Sequence, residues 1–161
     1  YHNHVSFTGL IDHEGRKKLQ YLNLAQRLGE DATVDLPRVH VLRPAEIPFP
    51  GRVLEFDALV QKDSSWQYVE VNPYGLSFDW YLIKTDNYGN ALAMKKVGTG
   101  AQAYIEVPPR PFQYKVYLLG HKNGYTTSHI SNLTTPVYWG PKLEELSAEQ
   151  IDYLLVEDQA R

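Results

Sequence analysis

The stretch Tyr114-Lys-Val-Tyr-Leu-Leu-Gly-His-Lys-Asn-Gly-Tyr-Thr-Thr-Ser-His-Ile-Ser131 reads as the last hairpin of a small two-sheet sandwich. Val116 and Leu118 alternate with their neighbours, as residues on one face of a strand do. Lys122-Asn123-Gly124 offers the positive φ that a tight hairpin turn requires. A Ser/Thr-rich strand then returns from Tyr125 and closes at Pro136.

Working outward, seven strand-like runs lie between Arg38 and Val137. Residues 38–43 place Val39 and Val41 on one face, and Pro44, Pro48 and Pro50 then interrupt the chain, because Pro cannot donate to a ladder. In 53–61, Leu54, Phe56, Ala58 and Val60 form a buried face opposite a wet one. A long loop carrying Trp66, Tyr68 and Tyr74 is expected next. It leads to a strand over 76–85, in which Phe78, Trp80 and Leu82 share a side. Trp80 is expected between the sheets with Phe56 and Val116. The turn 86–90 and the runs 91–97, 101–107, 113–121 and 125–137 complete the set. Regular spacing, frequent turn signals and no helix period within this stretch predict a mainly β, seven-stranded Greek-key sandwich over 37–137.

Two flanking pieces read differently. In 1–36, His2, His4 and Ser6 alternate with Asn3, Val5 and Phe7 as a short strand would. Tyr21, Leu24, Ala25 and Leu28 then define one face of an amphipathic helix, closed by Gly29. In 138–161, Ser147 and Gln150 have capping-box spacing, with Leu146 and Ile151 as a hydrophobic staple, so a short C-terminal helix is expected.

Composition narrows the function classes. The net charge is -3 and no basic run exceeds Arg16-Lys17-Lys18, which supplies too little positive field for nucleic acid or an acidic membrane surface. Without Cys, disulfides, thiolate metal sites and Cys nucleophiles are excluded. This absence fits a bacterial chain of any compartment. No apolar run is long enough to span a membrane, so no membrane insertion is expected. The start at Tyr1 suggests a mature or excised piece of a longer protein.

The candidate chemistry is thin. His2 and His4 are half a metal site without a carboxylate pair to complete it. Asp86, Asn87 and Asn90 lack the ligand alternation of a calcium loop and read as a plain turn. Asp12, His13, Glu14 and Ser6 offer acid, base and hydroxyl groups, but no nucleophile-elbow pattern surrounds Ser6. Asp57 and Asp79 fall on expected wet faces and read as solubilising charges. Asn132-Leu133-Thr134 is a sequon, read as chance in a bacterial chain. No catalytic residue, metal or cofactor is therefore assigned. Aromatics expected in loops or at strand ends, Trp66, Tyr68, Tyr74, Tyr88 and Trp139, are the better lead, because such rings stack on the apolar faces of sugars. Trp66 and Tyr68 are the pair expected to bind if any do.

On these residues two resemblances rest. From Pro37 to Pro136 the chain resembles a fibronectin type III or related immunoglobulin-like domain: Tyr114 stands where a tyrosine corner would, and Trp80 is placed like the buried sandwich Trp, without the disulfide it would pack on. The phrase Phe7-Thr-Gly-Leu-Ile-Asp-His-Glu-Gly-Arg-Lys-Lys-Leu-Gln-Tyr21 is similar to the segment that closes the (β/α)8 barrel of many glycoside hydrolases. Together they imply a non-catalytic accessory sandwich of a carbohydrate-active enzyme, extracellular or periplasmic. It would pack on its parent catalytic domain, and the chain by itself is expected to hydrolyse no glycoside and to bind polysaccharide weakly or not at all. The alternative is an adhesion or protein-interaction module of a bacterial surface or secreted protein.

Overall fold

The computed structural model describes residues 9–31, 34–69, 74–86, 88–109 and 112–134. The strand expected over 2–7, the C-terminal helix, His2, His4, Ser6, Asn87 and Trp139 lie outside the described residues.

In chain order the elements are β1 (Lys17–Lys18), α1 (Leu19–Arg27), β2 (Val39–Leu42), β3 (Val53–Lys62), β4 (Ser65–Tyr68), β5 (Ser77–Thr85), β6 (Ala91–Thr99), β7 (Gln102–Glu106), β8 (Gln113–Lys122) and β9 (Tyr125–Asn132). The larger sheet has the order β1-β9-β8-β5-β6. The smaller contains β2, β3, β4 and β7. Leu59 of β3 pairs with both His40 and Tyr68, and Asp57 with both Leu42 and Gln102. A strand has only two edges, so β4 and β7 follow one another along the edge of β3 opposite β2.

Nine strands thus stand among the described residues where seven were expected. The first addition is β4, within the expected Trp66–Tyr74 loop. Asp63 adopts a φ of 54°, turning the chain so that Ser65 pairs back onto Lys62. That turn contains no Gly, so the usual hairpin signal is missing. The second is β1, a two-residue parallel pairing with Tyr125 and Thr126. It is too short for any periodicity to announce.

Between the sheets lies one core. Leu54, Phe56, Ala58 and Val60 point inward from β3 and meet Phe78, Trp80, Val116 and Leu118. Trp80, Val116 and Phe56 are buried together, as expected. The indole Nε1 of Trp80 donates to the carbonyl of Gly100 at 2.8 Å, which satisfies its polar atom and ties down the crossing from β6 to β7. At Gly120 of β8 a Cβ would lie 3.3 Å from the side chains of both Phe78 and Thr127 and 3.4 Å from that of Val39, so the absence of a side chain lets these three close over β8.

The helix departs from its expected orientation. Leu22 and Ala25 are its buried residues, with Leu19 and Tyr21 packed against the core, whereas Leu24 and Leu28 are exposed. The pairing of Lys17 and Lys18 with β9 anchors the first turn and sets which face meets the sandwich. Gly29, at φ 82°, closes the helix as expected. Its N–H reaches the Gln26 carbonyl and that of Glu30 reaches Ala25, a Schellman pattern.

A second cluster covers the outer side of the larger sheet: Tyr81, Ile83, Ala91, Tyr117 and Leu119, with Met94 and Ile130 against it. His13 meets Tyr81 edge-on at 5.6 Å. This corrects the expectation that Asp79 is a solvated charge. Asp79 is buried, within 2.8 Å of Lys96 Nζ and 3.1 Å of His121 Nε2, so it cross-links β5 to β6 and β8.

Candidate functional site

Alternation along the smaller sheet sends a second set of side chains away from the core. On β3 these are Glu55, Asp57, Leu59 and Gln61. Cross-strand partners share a face. Trp66 and Tyr68 therefore stand outward with Gln61 and Leu59, and Tyr104 and Gln102 with Glu55 and Asp57. Trp66, Tyr68 and Tyr104 are 44%, 58% and 63% exposed, so large apolar rings remain open to solvent. Their partners on β3 set the spacing: at about 3.3 Å per residue, Tyr104 and Tyr68 are about 13 Å apart along the sheet, and Trp66 is about 7 Å further on.

Between Tyr68 and Tyr104 the sheet edge is notched. The end of β4 and the start of β7 leave a groove of about 780 Å³ lined by Asp57, Ala58, Tyr68, Val69, Thr99, Ala101, Gln102 and Tyr104. Gln102 Nε2 donates to Asp57 Oδ1 at 2.8 Å and to Glu55 Oε1 at 3.1 Å. The amide is thereby oriented, and the two carboxylates retain further acceptor capacity. Rings flanking oriented polar groups suit a ligand with apolar faces and hydroxylated edges.

At the other end, Trp66 tilts over His40, with ring centroids 5.3 Å apart, and His40 lies 4.0 Å from His129 of β9. His129 Nδ1 accepts the Val41 N–H at 3.1 Å, a direct link between the two sheets. Burial, followed by the neighbouring His40, lowers the pKa of His129, consistent with a neutral acceptor ring.

The aromatics singled out by sequence divide. Trp66 and Tyr68 come together on one sheet face, on a strand instead of in a loop. Tyr74 is partly buried against the core, its hydroxyl donating to the Gln61 carbonyl at 3.4 Å and its own carbonyl accepting from Lys122 at 2.7 Å. It caps the core. Tyr88 is exposed in the turn between β5 and β6, so it belongs to the other sheet. Tyr104 was missed. Its signal was an aromatic residue alternating with the inward Ala103 and Ile105.

The remaining polar candidates serve the fold. Asp12 accepts from the backbone N–H of Glu14 and Arg16 and from Arg16 Nε at 2.7 Å. Burial alone would raise its pKa, but these hydrogen bonds and the guanidinium bring it below the ordinary value. Asp86 accepts from Tyr88 and Asn90, as in a plain turn. Thr134 of the sequon is buried, its hydroxyl accepting the Tyr114 N–H. Among the described residues no three His, Asp or Glu side chains converge as a metal site. No family model, curated protein or solved structure matches the chain.

Proposed function

We propose that the chain is a non-catalytic accessory sandwich of a carbohydrate-active enzyme, with the open face of its smaller sheet serving as a saccharide platform. The observation carrying this reading is the set Trp66, Tyr68 and Tyr104, exposed on one face around a polar groove. Each ring offers an apolar surface for a sugar C–H face, while the Gln102 amide oxygen and the Asp57 carboxylate offer acceptors to its hydroxyls.

The strand order supports the fibronectin type III relationship within this proposal. Apart from β1 and β4, the seven remaining strands run β2-β3-β7 in one sheet and β9-β8-β5-β6 in the other. That division resembles the A-B-E and G-F-C-C′ sheets of that fold, with Tyr114 opening β8 as a tyrosine corner would. In this reading β4 is an insertion that adds Trp66 and Tyr68 to an otherwise ordinary sandwich. Leu24 and Leu28, exposed on α1, supply an apolar patch that a parent catalytic domain would cover.

Affinity electrophoresis against plant, algal and bacterial glucans and galactans tests the proposal. Retardation by at least one polysaccharide is expected, lost in Tyr68→Ala and Tyr104→Ala. Each ring is expected to contribute about tenfold in affinity, equivalent to about 1.4 kcal/mol. Retardation that survives the double substitution would refute the face. Turnover of any glycan by the chain alone would overturn the non-catalytic assignment.

A further inference from the structure

On the far side of Trp66 from the Tyr68–Tyr104 groove lies a second concavity, a cleft of about 460 Å³ between α1, β2 and β9. Arg38 and His40 line it from the β2 side, His129 from β9, and Gln20 and Asn23 from α1, with Trp66 as a wall. Its charge character is one-sided. No carboxylate lines it, and the Arg38 side chain forms no ion pair among the described residues. His129 adds a donor by necessity: because Nδ1 accepts from Val41, the neutral ring carries its proton on Nε2. The guanidinium and two side-chain amides bring further donors. The indole and the two imidazoles meet in tilted ring contacts, at 41° and 43°, across the junction of the sheets.

We infer that this cleft binds the carboxylate-bearing unit of an acidic saccharide, with the pyranose ring against Trp66 and the carboxylate facing Arg38 and His40. The inference rests on the saccharide-platform reading and specifies its ligand. A guanidinium matches a carboxylate with two parallel hydrogen bonds, and charge-assisted bonds are stronger than neutral ones. The Tyr68–Tyr104 groove has the opposite character, since Asp57 and Glu55 stand in or beside it and repel an acid. Trp66 separates the two. A glycan lying along the face would therefore place neutral units over β4 and β7 and its acidic unit at the cleft.

Cellobiose and cellobiouronate differ by one carboxylate in place of one hydroxymethyl group, and form a matched pair of probes. Titration of the isotope-labelled chain, followed by NMR, reads the imidazole protons of His40 and His129, the indole N–H of Trp66 and the rings of Tyr68 and Tyr104. The acid is expected to bind at least about tenfold more tightly than the neutral sugar. It should move the His40, His129 and Trp66 signals together, and Arg38→Gln should abolish the preference for the acid. Equal affinity for the two disaccharides would overturn the inference and leave the platform reading intact. Acetate binding as tightly as cellobiouronate would reduce the cleft to a simple anion site and overturn it too. Silence of all the aromatic signals with both sugars and with long glucans would remove the platform and the inference together.

Discussion

Both sheets carry aromatic and aliphatic residues on their outer faces, with opposite fates. On the larger sheet Tyr81, Ile83, Tyr117 and Leu119 are buried, and Asp79 is paired with Lys96 and His121. On the smaller sheet Trp66, Tyr68 and Tyr104 lie open around a groove. Alternation makes both faces; coverage distinguishes them. The same side-chain chemistry contributes to stability on one face and is free for recognition on the other. An exposed aromatic cluster is therefore informative here because equivalent rings a sandwich-width away are covered.

Substitutions on each side of this contrast should separate. The largest effect is expected at the core common to both sheets. Trp80→Ala should cost about 3–5 kcal/mol, from lost burial and the cavity left behind; a thermal melt matching the parent chain would contradict the shared core. On the covered face, Tyr117→Ala is expected to cost about 3 kcal/mol by urea unfolding. A near-neutral result would make the two outer faces equivalent and dissolve the comparison.

Gly120→Ala tests the spacing of the larger sheet. The added methyl would press on Phe78 and Thr127 at 3.3 Å, so a loss of about 1–3 kcal/mol is expected from chemical denaturation. On the open face, Tyr104→Ala should change stability by only about 0.5 kcal/mol or less, since its ring is mostly in solvent. Coupled to lost glycan retardation, that small change would assign Tyr104 to recognition instead of packing.

The smallest effect sharpens the junction where the faces meet. The folded pKa of His129 lies below its ordinary value of 6.5, from burial first and His40 second. The unfolded chain therefore takes up the proton before the folded one does. The contribution of this group to stability is complete above pH 6.5, declines as pH falls below it and is lost once pH drops below the folded value. Urea midpoints measured from about pH 7.5 to pH 5 should fall more steeply for the parent than for His129→Gln; identical slopes would remove His129 from the linkage.

Much of the sandwich was legible in residue patterns. Leu54, Phe56, Ala58 and Val60 specify β3, and Asn123-Gly124 specifies the final hairpin, because side-chain period and turn chemistry are local properties. The strand β4 was not legible, since Asp63 makes its turn without a glycine. The helix face was misjudged for a related reason: Leu22 and Leu24 are both apolar, and periodicity cannot say which meets the core when β1 fixes the rotation. At the candidate site, Trp66 and Tyr68 were found as aromatics but assigned to a loop, and Tyr104 was passed over.

What the sequence by itself determined was the alternation of inward and outward side chains, the turns that break it, and the absence of a Cys-based or strongly basic chemistry. Tertiary structure alone decided that β4 and β7 share one edge of β3, and so that Tyr68 and Tyr104, distant along the chain, flank one groove. It alone decided that Asp79 is buried and paired, and that His40, His129 and Trp66 meet across the two sheets. The physical reason is that pattern reads one strand at a time, whereas an edge, a covered face and a cleft are properties of strands brought together.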